Sequence, residues 1–282
     1  MIIFRRIMMG LAVLSIALGV WAFWIEPASL VENEVSIAIR PWPPSCDGLQ
    51  VAVMADLHVG SPHNSLSRLR ELVDETNALR PDLVLLAGDF VIQGVIGGEF
   101  AEPRDIAAEL DRLQASLGVY AVMGNHDWWH GPQLILDAFT GTHIEFLEDA
   151  STQLTQGDCQ FWLAGISDYW EGAHDIAKAL GDIPAEAPVL AFTHNPDVFY
   201  DIPRHVSLTF AGHTHGGQVN LPLIGRPIVP SQYGERFAIG PIDEDGRQMF
   251  VTPGVGTSIL PVRFRVPPEI SLVTLKSAPL YK

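Results

Sequence analysis

The sequence predicts an α/β fold organised around a largely parallel β-sheet. Its 282 residues are 48% apolar and 18% charged, which excludes a disordered or fibrous chain and provides for a sizeable core. Six short runs rich in β-branched and aliphatic residues are too continuous for half-exposed strands, so we interpret them as buried strands. They occupy residues 49–55, 82–88, 119–124, 161–166, 188–193 and 207–212.

Helical patterns separate the first three of these runs. Apolar residues recur every three or four positions over 66–79, after the capping candidates Asn64 and Ser65 and before a stop at Pro81. The same spacing continues over 106–117. This order of strands and helices implies right-handed crossovers and a parallel sheet, whose functional residues are expected at the carboxyl ends of the strands.

The N-terminal segment predicts a membrane-spanning helix. Residues 7–25 are nineteen consecutive positions without a charge, and at about 1.5 Å per residue such a helix nearly crosses a hydrocarbon layer of roughly 30 Å. The alternative is a cleaved secretory signal, which needs small residues where this chain has Trp21, Phe23 and Trp24. We therefore predict an anchor over 1–25, a short strand and linker over 26–47, and one domain over 48–282.

The arginines near this helix predict its orientation. Arg5 and Arg6 precede it, and the next lysine or arginine is Arg40. The positive-inside rule then places the domain on the outer side of the cytoplasmic membrane. Two alternatives stay open: export after cleavage, for which the arginine pair is a weak twin-arginine match, and a domain that faces the cytoplasm.

The charge balance argues against nucleic acid as a partner. The chain has 17 lysines and arginines against 33 acids, a formal charge of −16. Because residues 1–25 hold two arginines and no acid, the remainder carries −18. Such a surface repels nucleic-acid backbones and anionic headgroups, so membrane attachment depends on the helix. The sequence predicts no oligomeric state.

The two cysteines, Cys46 and Cys159, have no CxxC spacing, which excludes a cysteine-rich zinc module and a disulfide scaffold. One bridge is the most that they could form. We interpret them as small packing residues rather than a bridge, although an extracytoplasmic domain would permit one.

Side chains that commonly bind metals follow five of the six predicted strands. Asp56-x-His58 and His213-x-His215 have i, i+2 spacing, which in an extended backbone directs both side chains to one face. A single Asp or His in such a place is usually a turn former, a cap or a core residue. Oxygen and nitrogen donors at five strand ends, with no cysteine among them, instead predict one metal site. The candidates are Asp56, His58, Asp89, Asn125, His126, Asp127, His194, His213 and His215.

These residues stand in five blocks, DLH (56–58), GDF (88–90), GNHD (124–127), THNPD (193–197) and GHTH (212–215). In this order the blocks resemble the motifs of the calcineurin-like metallophosphoesterases, over roughly residues 48–275. The strings GHTHGGQ (212–218) and PVRFRVPPEI (261–270) resemble the branch with membrane-tethered bacterial phosphoesterases and UDP-2,3-diacylglucosamine pyrophosphatases. The resemblance implies a four-layer α-β-β-α sandwich with two mixed β-sheets.

The resemblance also implies a pair of divalent transition-metal ions. One ion would be bound by Asp56, His58, Asp89 and His215, and the other by Asp89, Asn125, His194 and His213. The Asp89 carboxylate would then bridge the two ions. Carboxylate, amide and imidazole ligands without thiolate favour manganese, with iron or zinc as alternatives.

The implied reaction is hydrolysis of a phosphoester or pyrophosphate bond by a hydroxide that bridges the two ions. His126 would protonate or stabilise the leaving oxygen rather than bind metal, because its neighbour Asn125 is a ligand and adjacent residues seldom point at one ion. Asp127 would orient the His126 ring. A helix-capping role for Asp127 is an equal alternative.

Tethering to a membrane favours a lipid-linked or membrane-proximal phosphate compound as the substrate. Two other functions stay open. One is an exported nucleotidase or cyclic-nucleotide phosphodiesterase. The other is a non-catalytic interaction module on the same fold, which would be expected to have lost ligands, whereas here every motif residue is present.

Weaker features flank the motifs. The tryptophans after GNHD could wall the cleft or pack in a loop, and loop packing is favoured for residues 91–100. Arg263 and Arg265 alternate, which favours a solvated strand face over a contact with phosphate. Asp168 ends a predicted strand near the site, but the motifs give it no ligand role.

Overall fold

The computed structural model describes residues 1–278, which contain six α-helices and twelve β-strands. The helices are α1 (Ile2–Val20), α2 (Leu66–Leu79), α3 (Pro103–Leu110), α4 (Asn125–His130), α5 (Pro132–Ala138) and α6 (Ile176–Leu180). The strands are β1 (Val31–Ile39), β2 (Gln50–Met54), β3 (Leu83–Ala87), β4 (Val119–Val122), β5 (Ile144–Phe146), β6 (Ala150–Gln156), β7 (Cys159–Ile166), β8 (Val189–Thr193), β9 (Leu208–Ala211), β10 (Gly240–Glu244), β11 (Arg247–Val251) and β12 (Glu269–Ser277).

The strands form two mixed six-stranded sheets. The first has the order β1-β12-β2-β3-β4-β5, with an antiparallel pair at β12 and β2. The second has the order β10-β11-β9-β8-β7-β6, with antiparallel pairs at its two edges. The parallel strands in the middle of each sheet bring the carboxyl ends of β2, β3 and β4 to one edge, and likewise those of β8 and β9.

The sheets pack face to face, and the helices cover their outer faces. Val51 and Val53 of β2 belong to the core between the sheets, whereas Ala52 and Met54 belong to the core under α2 and α3. Successive strand residues point to opposite faces, so both faces of β2 are buried. A third core lies under α6. The four-layer sandwich with two mixed sheets is therefore confirmed.

All six predicted strands are confirmed, as β2, β3, β4, β7, β8 and β9. The first predicted helix is α2 over the expected residues. Ser65 caps it, since its Oγ accepts a hydrogen bond from the Arg68 N–H, and the helix ends at Arg80 in the left-handed conformation.

The second predicted helix is wrong beyond its first half. The pattern over 106–117 predicts a continuous helix, but α3 ends at Leu110. Leu113 and Leu117 are buried without being helical, because the chain turns towards the sheet and the Leu117 N–H donates to the Asp82 carbonyl. Buried apolar spacing alone does not distinguish these two conformations.

The N-terminal helix projects from the sandwich. The stretch Ile2–Ile25, which includes α1, has 24 residues and is long and apolar enough to cross a membrane. Its carboxyl end is joined to the domain by three hydrogen bonds, one of them between His63 Nε2 and the Phe23 carbonyl at 2.9 Å. The Arg263 N–H donates to the Ala22 carbonyl at 2.9 Å, and the Val266 N–H donates to Glu26 Oε1 at 2.6 Å.

Part of the segment predicted as strand and linker belongs to the sandwich. The predicted strand is β1, which pairs in parallel with β12 along the edge of the first sheet. Cys46 and Cys159 form a disulfide, with Cα atoms 4.7 Å apart, that ties the end of this segment to the start of β7. The interpretation of the two cysteines as packing residues is therefore wrong. Their separation of 113 residues gave no spacing signal, and only the fold brings them together.

Candidate metal centre

The site lies where the carboxyl ends of strands from the two sheets meet. The predicted residues follow five strands: Asp56 and His58 after β2, Asp89 after β3, Asn125, His126 and Asp127 after β4, His194 after β8, and His213 and His215 after β9. His126 is half-buried, and the other side chains are buried. Seven of them form two donor clusters that share one carboxylate.

The first cluster consists of Asp56, His58, Asp89 and His215. His58 Nε2 lies 3.1 Å from His215 Nε2 and 3.5 Å from Asp89 Oδ2. His215 Nε2 lies 3.4 Å from Asp56 Oδ1, and no hydrogen-bond donor among residues 1–278 reaches that oxygen. Donor atoms at these spacings can be ligands of one cation.

The second cluster consists of Asp89, Asn125, His194 and His213. His194 Nε2 lies 3.3 Å from Asp89 Oδ2, 3.2 Å from Asn125 Oδ1 and 3.1 Å from His213 Nδ1. The other Asp89 oxygen, Oδ1, accepts a hydrogen bond from the His126 backbone N–H at 2.8 Å. Asp89 Oδ2 is thus within 3.5 Å of donors in both clusters, as a bridging carboxylate requires.

Backbone carbonyls fix which ring nitrogen of two histidines faces the clusters. His58 Nδ1–H donates to the Val91 carbonyl at 3.1 Å, and His194 Nδ1–H donates to the Ala87 carbonyl at 2.7 Å. Each ring therefore presents its Nε2 to the cluster. Lone pairs from imidazole, carboxylate and amide converge there, and they repel one another unless a positive charge lies among them. The donor sets fit two divalent cations.

Burial keeps three of the imidazoles neutral, whereas the Asp89 carboxylate favours a positive charge on His194. Burial lowers the pKa of His58 to about 3 and lowers the pKa values of His213 and His215 well below 6.5, so these rings stay neutral. Burial opposes a charge on His194, yet the Asp89 carboxylate raises the pKa of His194 to about 10. His194 in turn lowers the pKa of Asp89 against the effect of burial. The site therefore attracts positive charge.

The backbone at the site is not extended. Five of the seven predicted ligands have positive φ: Asp56 (52°), His58 (42°), Asp89 (57°), His213 (69°) and His215 (51°). Both i, i+2 pairs do converge, but the extended geometry expected to align them is wrong. A non-glycine residue in this region costs about 1–3 kcal/mol unless its surroundings hold it, and such residues cluster at functional sites.

Glycines after β11 press against the first of these turns. A Cβ on Gly254 would lie 2.7 Å from Asp56 Oδ2, and a Cβ on Gly256 would lie 2.7 Å from the His58 Cβ. The Gly256 N–H donates to the Asp56 carbonyl at 2.7 Å. No larger residue fits at either position. Sequence reasoning did not select these glycines, because no motif residue is next to them.

Arg263 holds this glycine segment in place. Its fully buried guanidinium donates to the carbonyls of Pro253, Gly254 and Gly256 at 3.0, 3.1 and 2.6 Å. Burial lowers its pKa to about 10. Neither a solvated strand face nor a phosphate contact describes Arg263, because irregular backbone around it supplies carbonyls that need a donor. Arg265 is exposed.

His126 lies between the clusters and an adjoining cleft. Its ring meets the ring edges of His58 and Trp129, with centroids 4.8 and 4.7 Å away. Its Nδ1–H donates to Gln93 Oε1 at 2.8 Å, and Gln93 Nε2 donates back to the His126 carbonyl at 3.0 Å. This second bond fixes the orientation of the Gln93 amide, so its oxygen faces Nδ1 and holds a proton there. Nε2 is then the ring nitrogen that can exchange a proton with a bound molecule. Gln93 was not predicted, because it lies outside every motif.

Asp127 does not contact the His126 ring. Its carboxylate accepts hydrogen bonds from the N–H groups of Gly124 and Asp89 at 2.9 and 2.8 Å, and from those of Phe90 and Val91. Burial raises its pKa to about 8. Asp127 therefore caps α4 and holds the loop after β3. The predicted ring-orienting role is corrected: the structure gives that contact to Gln93.

A cleft of about 590 Å³ opens from the clusters. Its apolar walls are Trp129, Trp170, Val219, Pro227, Ile228, Pro230, Ile259, Leu260 and Val262. Gln93 belongs to its lining as well, so the predicted loop 91–100 contributes to the cleft. The cleft is thus polar at the donor clusters and apolar away from them.

Asp168 positions one of these walls. Its Oδ2 accepts a hydrogen bond from the Trp170 N–H at 2.9 Å. The Trp170 ring then stands edge-on to His213, with centroids 4.3 Å apart. Asp168 therefore acts on the site through Trp170, while Trp129 walls the cleft and its neighbour Trp128 packs against the helix-side core.

Comparison with known proteins agrees with this geometry. The profile of the calcineurin-like phosphoesterases matches residues 49–217, and the chain belongs to this family. It is 32% identical to the phosphodiesterase YaeI of Escherichia coli over 232 residues. The aligned region is 80% of this chain and 82% of YaeI.

Two further relatives extend over more of the chain. It is 28% identical to the uncharacterized metallophosphoesterase YkuE of Bacillus subtilis, over 91% of this chain and 89% of that protein. It is 27% identical to a zebrafish (Danio rerio) transmembrane protein with metallophosphoesterase domain, over 90% of this chain and 58% of that protein. The chain is therefore a phosphoester hydrolase, in a family that generally uses two divalent metals.

Proposed function

We propose that this protein hydrolyses phosphoester or pyrophosphate bonds in lipid-linked or membrane-proximal substrates, with two divalent metal ions. The observation that carries the proposal is Asp89 Oδ2, which faces the imidazoles of both clusters. Asp56, His58 and His215 would complete one site, and Asn125, His194 and His213 the other. We expect manganese, with iron or zinc as alternatives, since no thiolate is among the donors.

The residues around the clusters have separate tasks. When bound, the ions would activate water and neutralise charge on the phosphoryl oxygens. As an imidazolium, with Gln93 accepting from Nδ1–H, His126 would deliver its Nε2 proton to the leaving oxygen and become the neutral Nδ1–H ring. Trp129 and Trp170 would exclude bulk water from the cleft.

Two independent features support a catalytic domain outside the cytoplasm. Arg5 and Arg6 precede the apolar helix, as the positive-inside rule requires for an N-terminus in the cytoplasm. The Cys46–Cys159 disulfide is typical of oxidising compartments. We therefore propose a retained, single-pass anchor with the domain on the outer side.

The position of the cleft supports a substrate at the membrane. Val262 lines the cleft, and the next residue, Arg263, is hydrogen bonded to the carboxyl end of the anchor. A phosphate held at the clusters would leave its apolar portion along aliphatic walls. An exported nucleotidase is the alternative, in which the tryptophans would contact a base.

The test uses the full chain in phospholipid vesicles, stripped of metal and reloaded with Mn²⁺. It compares bis-p-nitrophenyl phosphate, AMP, cyclic AMP and a lipid pyrophosphate, with Asp89→Asn as the matched control. We expect metal-dependent turnover, highest on the lipid. Faster turnover of nucleotides in the absence of vesicles would favour the nucleotidase, and a fully loaded chain without turnover would contradict a hydrolase.

A further inference from the structure

Six large aliphatic side chains are exposed beside the cleft. Leu223, Ile228 and Ile259 have exposed fractions of 108%, 76% and 75%. Scattered exposed aliphatic residues need no explanation, but a contiguous group marks a binding surface. We call this set the apolar rim; it consists of Ile96, Leu223, Ile224, Ile228, Ile259 and Leu260.

Backbone hydrogen bonds hold the segments that carry the rim residues close to one another. The Ile96 N–H donates to the Ile259 carbonyl at 3.3 Å. The Phe264 N–H donates to the Gln218 carbonyl, and the Asn220 N–H to the Phe264 carbonyl, at 2.8 and 2.9 Å. The two segments pair in parallel at Val219 and Phe264. The Gln218 side-chain amide also donates to the Ser258 and Leu260 carbonyls at 3.2 and 3.4 Å, so rim residues of both segments lie near this contact.

The rim also adjoins the anchor. Arg263, one residue before this contact, donates its N–H to the carbonyl of Ala22 at the end of the apolar helix. Three residues of extended chain reach at most about 11 Å, so Leu260 lies within about that distance of Arg263, and Leu223 within about that distance of Asn220. The exposed side chains of the rim are thus near the point where the apolar helix joins the domain.

The charge of this surface differs from that of the rest of the chain. Residues 218–230 and 257–268 contain no acid, although the chain has 33 acids, and of their three arginines Arg226 and Arg265 reach the surface while Arg263 is buried. One carboxylate reaches this segment, that of Glu235, which accepts a hydrogen bond from the Arg226 backbone N–H at 2.6 Å, so repulsion of anionic headgroups is weaker here than over the rest of the domain. A surface that combines exposed aliphatic side chains with arginines is suited to a lipid headgroup layer.

We propose that the apolar rim inserts into the leaflet of the phospholipid bilayer from which the N-terminal helix emerges. The cleft would then open at the headgroups, and an acyl-bearing phosphoester would reach the donor clusters without crossing bulk water. A bilayer is the occupant that the observations favour, because Arg263, within a few residues of the rim, is hydrogen bonded to the carboxyl end of the apolar helix. The inference rests on the proposed retention of the anchor and specifies how the proposed membrane substrate enters.

The test places a fluorophore on the rim. Leu223→Cys and Ile224→Cys, each labelled with NBD, are made in the full chain, whose native cysteines are joined in the disulfide. Neither residue lines the cleft. The matched control is Ala185→Cys, an exposed residue between α6 and β8. All are reconstituted in phosphatidylcholine and phosphatidylglycerol vesicles and quenched with doxyl lipids or with iodide.

We expect doxyl lipids to quench the rim labels at least about threefold more than the label at 185, and iodide to show the reverse order, as for groups within the headgroup layer. Equal access of iodide at all three positions would overturn the proposal, since the rim would lie in water. Shielding from both quenchers would also overturn it, because a protein would then cover the rim.

The depth measurement requires no turnover, so its outcome is separate from that of the proposed function. An inserted rim in a chain that does not hydrolyse lipid substrates would contradict the proposed substrate only. Hydrolysis of bis-p-nitrophenyl phosphate at the rate of the unlabelled chain verifies that each labelled variant is folded.

Discussion

The two ends of the sandwich differ in how their residues are held. At the carboxyl ends of β2, β3 and β9, ligand residues have left-handed backbones and ring nitrogens that approach one another. At the opposite end, the Cys46–Cys159 disulfide joins β7 to the segment after β1, Trp42 Nε1 donates to the Cys46 carbonyl, and Trp42 packs on Phe161 with centroids 5.2 Å apart. The metal end has a strained backbone, whereas at the disulfide end the polar groups are hydrogen bonded and the side chains are packed.

This difference indicates a division of labour. Strained backbone and unpaired donors at the metal end lower the stability of the fold, and packing elsewhere must offset this cost. We therefore expect substitutions at the metal end to change metal content and turnover. Substitutions at the disulfide end should change stability while turnover is retained.

Asp89→Asn should give the largest loss. It removes the proposed bridging charge, so both ions should bind more weakly, and kcat/KM should fall by about 10³-fold or more, since metals supply several kcal/mol of transition-state stabilisation. Elemental analysis and bis-p-nitrophenyl phosphate hydrolysis measure the two effects. The thermal midpoint in chelator should not drop. One ion that remains fully bound would count against the bridge.

His126→Ala should retain both ions and lose about 10²–10⁴-fold in kcat. The loss should be greater for an alkyl phosphodiester than for bis-p-nitrophenyl phosphate, because p-nitrophenolate leaves without a proton. The matched control is His130→Ala, since His130 stacks on Phe100 outside both clusters. Loss of metal from the His126 variant would contradict its assignment as a proton donor.

Sequence patterns predicted the positions of the site better than its backbone. The strands and the polar residues that follow them came from continuous apolar runs and from residue chemistry, both of which are local signals. Left-handed turns at Asp56 and His213 are imposed by contacts from distant segments, such as Gly254 against Asp56, which no local pattern encodes. The two i, i+2 pairs therefore converge as predicted, but through left-handed turns and not through the extended backbone that was expected.

Long-range contacts account for the other errors. Gln93 is 33 residues from His126, and its role depends on two hydrogen bonds between loops. Leu117 has helical spacing but is not helical, because its N–H donates to the Asp82 carbonyl. Arg263 resembles a surface residue by sequence, yet five backbone carbonyls surround its guanidinium. In each case the partner is fixed by the fold and not by the neighbouring sequence.

Gln93→Leu should lower kcat by about tenfold and leave metal content unchanged, since one hydrogen bond contributes about 1 kcal/mol. A merely structural role would also slow a chain that already lacks His126. A role through His126 would not, so His126→Ala/Gln93→Leu should be no slower than His126→Ala alone. Additive losses in this cycle would show that Gln93 acts independently of the ring.

Removing the disulfide should have the smallest effect on turnover and a clear effect on stability. Cys46→Ser/Cys159→Ser should lower the free energy of unfolding by about 2–5 kcal/mol, since the bridge closes a long loop of the unfolded chain. Urea titration measures this loss, and kcat at a temperature where both chains are folded should agree within about twofold, because the bridge lies at the end of β7 opposite the clusters. If kcat falls in the folded double variant, the two ends of the sandwich are coupled. The disulfide end would then contribute to turnover as well as to stability.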